Sequence, residues 1–374
     1  MDVSKSTFFL VLFFLGCLSC QTSDRSFSNS ETLELSFPPT VLHTVELNGD
    51  EHVDVLAAGA SSLVALLGDG NGHFTPGPIF TVGIKIKEVA IGNLDGDDLL
   101  DVVATGFYTN DVKIFEVNTD GTITEIQTLE VGAQPGDVAV TDFNGDGKAD
   151  LIFVDPGSDK LLLLRGGSAG VFDDAVEMNC SSEPSEVEIA DVNADGFLDL
   201  VVLSQKDASL FVCLQGKDGM VSQNGSRRTS ESKHLRLLDL DNDGQIEAVL
   251  TNNGQLFVTV VMAFGELTES EFTLERLYGS EEGVCSARYA DLVITDLDAD
   301  GDLDFAAPTG TCGDVVLLYS EKDGTLGAIS AERYIDIGEN STSLTAADFD
   351  EDGYIDLAVG EESSKSLYVL LNKR

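Results

Sequence analysis

A nine-residue pattern recurs seven times along this 374-residue chain, and no other feature restricts its fold so strongly. It is clearest from Asp142, where Asp-Phe-Asn-Gly-Asp-Gly-Lys-Ala-Asp runs to Asp150. It returns from Asp191 (DVNADGFLD), Asp239 (DLDNDGQIE), Asp296 (DLDADGDLD) and Asp348 (DFDEDGYID). Two weaker copies start at Asn93 (NLDGDDLLD) and Glu46 (ELNGDEHVD). Successive starts are 47, 49, 49, 48, 57 and 52 residues apart. A period near 50 residues is that of a propeller blade.

The flanking segments repeat as well. A short alternating or apolar run precedes each copy, as at residues 138–140 and 187–190, and a β-rich run follows, as at 101–104, 151–154 and 200–203. A third apolar run comes next (161–164, 315–318, 367–371), then a Gly-containing turn and a more polar fourth run such as 123–131. Four short strands per repeat, bounded by turn residues and without sustained helical periodicity, predict an all-β fold. The expectation is a seven-bladed β-propeller with four-stranded antiparallel blades. The last repeat stops after its third strand, so residues 31–37 are expected to pair into that blade and close the ring, covering an exposed edge. An open solenoid of the same hairpins would need polar caps, which the sequence does not offer. The layout expected is a signal peptide at 1–20, a short tether at 21–30 and the propeller at 31–374.

The motif's spacing suits a hard cation. Side-chain oxygens fall at positions one, three, five and nine, with a main-chain carbonyl at seven. Calcium takes six to eight such ligands in loose geometry, and a tight Gly turn lets a short loop supply them. The strong candidates are Asp142, Asn144, Asp146, Lys148 and Asp150, then Asp191, Asn193, Asp195, Phe197 and Asp199. The next two copies offer Asp239, Asp241, Asp243, Gln245 and Glu247, and Asp296, Asp298, Asp300, Asp302 and Asp304. The last offers Asp348, Asp350, Asp352, Tyr354 and Asp356. In the leading copies, Asn93, Asp95, Asp97 and Asp101, and Glu46, Asn48, Asp50 and Asp54, fill the same places. Asp98 and Glu51 stand there instead of the turn Gly, so these two sites are degenerate beside five full ones. An EF-hand loop would end in a Glu at position twelve and open a helix, whereas here the ninth residue opens a strand. The chain carries 66 acids against 21 basic residues, and 28 of the acids lie inside the seven motifs, where cations would neutralise them.

These motifs, with the segment Leu66-Leu67-Gly68-Asp69-Gly70-Asn71-Gly72-His73-Phe74, resemble the FG-GAP/VCBS repeat family, which includes the headpiece propeller of integrin α subunits. The resemblance spans roughly residues 31–374. It implies calcium in the hairpin loops and, by analogy, extracellular adhesion or ligand binding. The stalk and membrane helix of an integrin α chain have no counterpart here.

The N-terminus reads as an export signal: Lys5 precedes an apolar run at 8–18 that is too short to span a bilayer. Gly16-Cys17 resembles a lipoprotein cleavage site that would lipidate Cys17, and ordinary cleavage after Ser19 is the alternative. A cell-surface lipoprotein or a secreted protein is expected, touching membrane only through that anchor. An oxidising compartment permits disulfides. Cys285 and Cys312 would meet at the far end of the motif hairpin, while Cys180 and Cys213 either pair or are simply buried. A net charge of −45 argues against nucleic-acid partners. No HExxH, GxSxG or P-loop pattern occurs, and the chain lacks Trp, so a non-catalytic, monomeric binding or adhesion module for a protein or glycan is expected. An envelope scaffold, or a polysaccharide-active enzyme on the same fold, is the alternative. The insertion at 262–286 and the polar segment 216–233 are the candidate partner loops.

Overall fold

The computed structural model describes residues 26–373, apart from 98, 218, 220, 230–231, 241–242, 253–257, 262–270, 275–290, 311–312 and 321–328. The β-rich runs that follow each motif are apolar on both faces, which suits a strand packed between two neighbouring sheets. Those runs become the second strand of each blade, and in blades 1 to 4 and 7 every residue of that strand is buried.

The described strands make seven antiparallel sheets. Blade 1 comprises Val41–Val45, Asp54–Gly59 and Ser62–Gly68, with two short strands, Phe74–Pro76 and Phe80–Thr81, sharing the outer edge. Blade 2 is Ile86–Gly92, Asp101–Gly106, Asp111–Val117 and Ile123–Glu130; blade 3 is Val138–Thr141, Asp150–Asp155, Lys160–Leu164 and Val176–Met178. Blade 4 is Glu186–Ala190, Asp199–Ser204, Ser209–Gln215 and Val221–Arg228; blade 5 is Ser232–Leu238, Glu247–Asn252, Val258–Val261 and Glu271–Leu274. Blade 6 is Val293–Thr295, Asp304–Pro308, Asp314–Ser320 and Ile329–Asp336. Blade 7 takes Ser341–Ala347, Asp356–Glu361 and Ser366–Asn372 from the end of the chain, and its outer strand, Phe27–Glu34, from the beginning.

That last pairing closes the ring. Phe27–Glu34 runs antiparallel to Ser366–Asn372, with Phe27 opposite Asn372 and Glu34 opposite Ser366. The closing strand therefore starts at Phe27 rather than at residue 31, and residues 27–30, expected in a tether, belong to the blade. Leu35 and Phe37, just beyond the strand, turn inward and are buried between blades 7 and 1. A second correction concerns 216–233. Val221–Arg228 is a paired outer strand carrying a register shift, not a loop, because a polar edge strand tolerates solvent on its free side.

The apolar core is divided among seven wedges, each between adjacent blades. Leu56, Val102 and Phe115 join blades 1 and 2; Val103, Leu151 and Phe153 join blades 2 and 3. The series continues around the ring and ends with Val55, Leu66, Ala358 and Leu367, which join blade 7 to blade 1. Blades 3 and 4 are also tied covalently: Cys180, beyond the outer strand of blade 3, forms a disulfide with Cys213 in the third strand of blade 4, at a Cα–Cα distance of 5.8 Å. The alternatives left open by the sequence for these two cysteines thus resolve to a pair. The leader, Cys17, Cys285, Cys312, Asp241 and most of the 262–286 insertion lie outside the described residues.

Candidate metal centre

Each motif forms the connection between the first and second strands of its blade, and its ninth residue opens the second strand. In motif order these are Asp54, Asp101, Asp150, Asp199, Glu247, Asp304 and Asp356, none more than 2% exposed. Buried carboxylates demand donors. In all seven motifs one oxygen of the ninth residue accepts the N–H of the second: Leu47, Leu94, Phe143, Val192, Leu240, Leu297 and Phe349, at 2.7–3.2 Å. In five motifs the other oxygen accepts an N–H at the end of the third strand, from Gly68, Gly166, Gln215, Ser320 or Asn372. The ninth residue is therefore a brace inside the blade as well as a possible ligand. Burial pushes the six aspartates of this set up, Asp101 and Asp356 to about 6 and Asp304 to about 7, against the lowering effect of the N–H donors.

The loop itself is shaped by two left-handed turns. Position six is Gly in the five full motifs, with φ between 86° and 97° at Gly147, Gly196, Gly244, Gly301 and Gly353. Wherever it is described, position four is also left-handed, even where it is Ala194, Ala299 or Glu351. With the chain so folded, the first Asp accepts two N–H groups. Asp348 Oδ1 and Oδ2 take Asp352 and Gly353 at 3.1 and 2.9 Å, and Asp191, Asp239 and Asp296 repeat the pattern. Asp142 does the same with Asp146 and Gly147 and adds Gly145. The fifth residue accepts the N–H of the seventh in every motif, as Asp352 does from Tyr354 at 3.0 Å.

The last two loops bring carboxylates together for a metal. Ligand oxygens of Asp296, Asp298 and Asp304, and likewise of Asp348, Asp350 and Asp356, lie within 4.8 Å of one another. Asp350 Oδ1 and Asp302 Oδ2 are buried and accept no hydrogen bond, a costly state that a cation relieves. The donor set is all hard oxygen, which suits an alkaline-earth ion and not a soft one. In the loops from Asp142 and Asp191 the third position is an amide, Asn144 or Asn193, so the corresponding trio of first, third and ninth residues holds two carboxylates instead of three. Position five, whose Oδ1 accepts the seventh N–H, is not among the converging residues of either cluster.

The leading loops differ as their sequences suggest. Glu46 Oε1 accepts Asn48 and Gly49 N–H, and Asn48 Nδ2 donates to Asp50 Oδ2 at 2.9 Å. Asn93 donates its amide to the carbonyl of Asp97. Amide N–H groups here neutralise the carboxylates that only a bound cation would neutralise in the full loops. His52, at position seven, reaches Glu351 in the blade 7 loop at 2.5 Å.

One element escaped the sequence reading. The second residue of each motif is apolar, is buried, and plugs the wedge shared with the next blade. At three junctions its carbonyl also receives a hydrogen bond from that next blade. Gly72 N bonds Phe349 at 2.9 Å, Gln215 Nε2 bonds Phe143 at 2.9 Å and Asn372 Nδ2 bonds Leu297 at 2.8 Å. The alternation of acid and apolar residue at positions one to three carried this signal.

The FG-GAP-like repeat model matches the chain four times, at residues 47–104, 93–153, 142–202 and 296–359. Comparison with curated proteins returns no match. Among solved structures, BBS1N in complex with ARL6DN is similar at TM-score 0.62 and 12% identity, over 93% of this chain and 98% of that one. A lectin of Agrocybe aegerita that recognises non-reducing terminal N-acetylglucosamine follows at TM-score 0.54 and 16% identity, over 87% and 86%. Raptor of Chaetomium thermophilum aligns at TM-score 0.59 and 11% identity, over 93% of this chain and 29% of its own. At such identities the likeness concerns the fold alone. With four matched repeats and seven sheets closed by the first strand, this chain belongs to the FG-GAP-like repeat family and folds as a β-propeller.

Proposed function

We propose that the chain is an exported, calcium-stabilised propeller that acts as a non-catalytic binding module for a protein or glycan at the cell surface. The observation that carries the calcium reading is Asp350 Oδ1, a buried carboxylate oxygen without a donor, set among Asp348 and Asp356. The five full loops are the sites, and the two leading loops satisfy themselves. Export rests on the apolar run at 8–18 behind Lys5, with Cys17 as the candidate lipid anchor. The binding role is supported by the company the fold keeps: one similar propeller is a lectin and another was crystallised with a protein partner. The mature protein should melt at a lower temperature in EDTA and recover in millimolar calcium; identical melts would overturn the metal assignment. Probing glycan and matrix-protein arrays in calcium and in EDTA then tests recognition, and a calcium-dependent hit is the expected result.

A further inference from the structure

The first strands of the blades surround a central cavity of about 700 Å³. In blades 1 to 6 the residues five and three places before the motif start line it, as the period of two along a strand requires, and in blade 7 Thr345 does. The fifth place carries Glu88, Asp137, Glu186, His234 and Asp291 in blades 2 to 6; the third carries His43, Glu188 and Arg236 in blades 1, 4 and 5. Most of these are paired. His234 Nδ1 meets Glu186 Oε1 at 3.1 Å, and Arg236 bridges Glu188 at 3.2 Å and Asp291 at 3.6 Å. His43 Nε2 lies 2.9 Å from the Val89 carbonyl.

Two carboxylates of neighbouring blades, Glu88 and Asp137, make no direct ion pair with a basic side chain. Asp137 is braced by backbone only, through Val138 N–H and, across the blade junction, Val187 N–H, both at 2.9 Å. Glu88, half-buried in the cavity wall, accepts only the N–H of Val89, at 3.1 Å on Oε1, which leaves Oε2 without a protein donor. Lys87, the basic residue on the same strand, ends beside Gly136; Asp137 and Glu88 are the charges that act on it most, but it makes no direct ion pair with either. The three-carboxylate convergence found in the motif loops is not repeated here among the described residues, so a bare metal ion is not what this wall fits.

We propose that the central cavity is a binding site for an organic cation, an alkylguanidinium or alkylammonium group held between Glu88 and Asp137. Such a group brings several N–H donors and one positive charge to two acids that face the cavity without a direct ion pair. Burial is the first reason that the carboxyl of Glu88 is pushed up to about 8 and that of Asp137 to about 6, and Glu186 adds repulsion to both. Arg236, committed to Glu188 and Asp291, lowers Asp137 only in small part. The group could arrive on a free small molecule or at the tip of a partner's Lys or Arg side chain.

The test uses calcium-loaded full-length mature protein at constant, near-physiological ionic strength, because a polycation would bind so acidic a chain anywhere. n-Butylguanidinium and n-butylamine are titrated against wild type, Glu88→Gln and, as a surface control, Glu51→Gln, with neutral n-butylurea as the isostere. In a second arm, a short peptide ending in Arg is compared with its Ala counterpart. Binding by the free cation or by the Arg peptide, weakened at least tenfold in Glu88→Gln, unchanged in Glu51→Gln and rising between pH 6 and 9, is the expected result. The arm that binds names the source. Equal binding by Glu88→Gln, or silence in both arms, overturns the site. A Glu88→Gln variant that is more stable than wild type while neither cation binds would show instead that the two acids share a proton.

Discussion

Asp350 and Asn48 occupy the same place, the third, in the last and first motifs, and they meet opposite fates. Asn48 carries its own donor and spends it on Asp50, so its loop is electrostatically closed. Asp350 has a buried oxygen with nothing to accept from, and its carboxyl is raised by burial and by Asp352. Asp350→Ala should therefore lower the calcium bound per chain by one. At 1 mM calcium and a dissociation constant of roughly 0.1–1 mM, it should also cost about 0.4–1.4 kcal/mol of stability. Asn48→Ala should leave the calcium count unchanged. Metal analysis after equilibrium dialysis reads both, and full stoichiometry in Asp350→Ala would remove the blade 7 loop from the sites. The ligand positions were legible because their spacing is fixed within nine residues. What the spacing hid was the second duty of the ninth residue: its bonds to Gly68 or Gln215 cross to the third strand, 14 and 16 residues downstream.

At the scale of elements, the closing strand shows what a repeat can and cannot disclose. A seventh repeat that lacks a fourth strand requires one from elsewhere, and the chain start is the only spare, so closure was legible. Its boundary was not, because Phe27–Glu34 is polar and mostly exposed, with no alternation to mark where pairing begins. Deleting residues 1–34 would bare the Ser366–Asn372 edge and the wedge holding Leu367, Val369 and Leu371. The truncated chain should melt well below wild type and form dimers or larger species by size-exclusion chromatography; a monomer with an unchanged melt would show that strand dispensable. The disulfide illustrates the converse. Cys180 and Cys213 belong to different blades, and their separation of 33 residues has no meaning until the blades are stacked. Junction bonds on the second carbonyl were hidden for the same reason. Asn372→Ala removes the amide that reaches Leu297 and Ile355, and should cost about 1–3 kcal/mol in denaturant melts, since it strands buried carbonyls. No measurable loss would show that the wedge packing alone holds blades 6 and 7 together.

The whole molecule adds a property that no single blade has, a ring of charge around a shared axis. Burial in that ring raises Glu88 to about 8 and Glu188 to about 7, from an ordinary value of 4.5, and only Glu188 has the guanidinium of Arg236 beside it. The folded protein thus keeps protons that the unfolded chain releases above about pH 4.5. The stability these groups contribute is complete at low pH and is lost as the pH rises through about 7–8. His43 acts in the other direction, since burial lowers it and its penalty arises as the pH falls through its ordinary 6.5, so it flattens the acid side of the curve. With calcium saturating, which takes the loop carboxylates out of the titration, stability by denaturant unfolding should fall between pH 6 and pH 9. Glu88→Gln, which cannot ionise, should flatten a part of that fall and leave the remainder to Glu188. A profile that rises over this interval, or one that Glu88→Gln leaves untouched, would mean that water or a bound cation in the cavity already keeps Glu88 ionised at neutral pH.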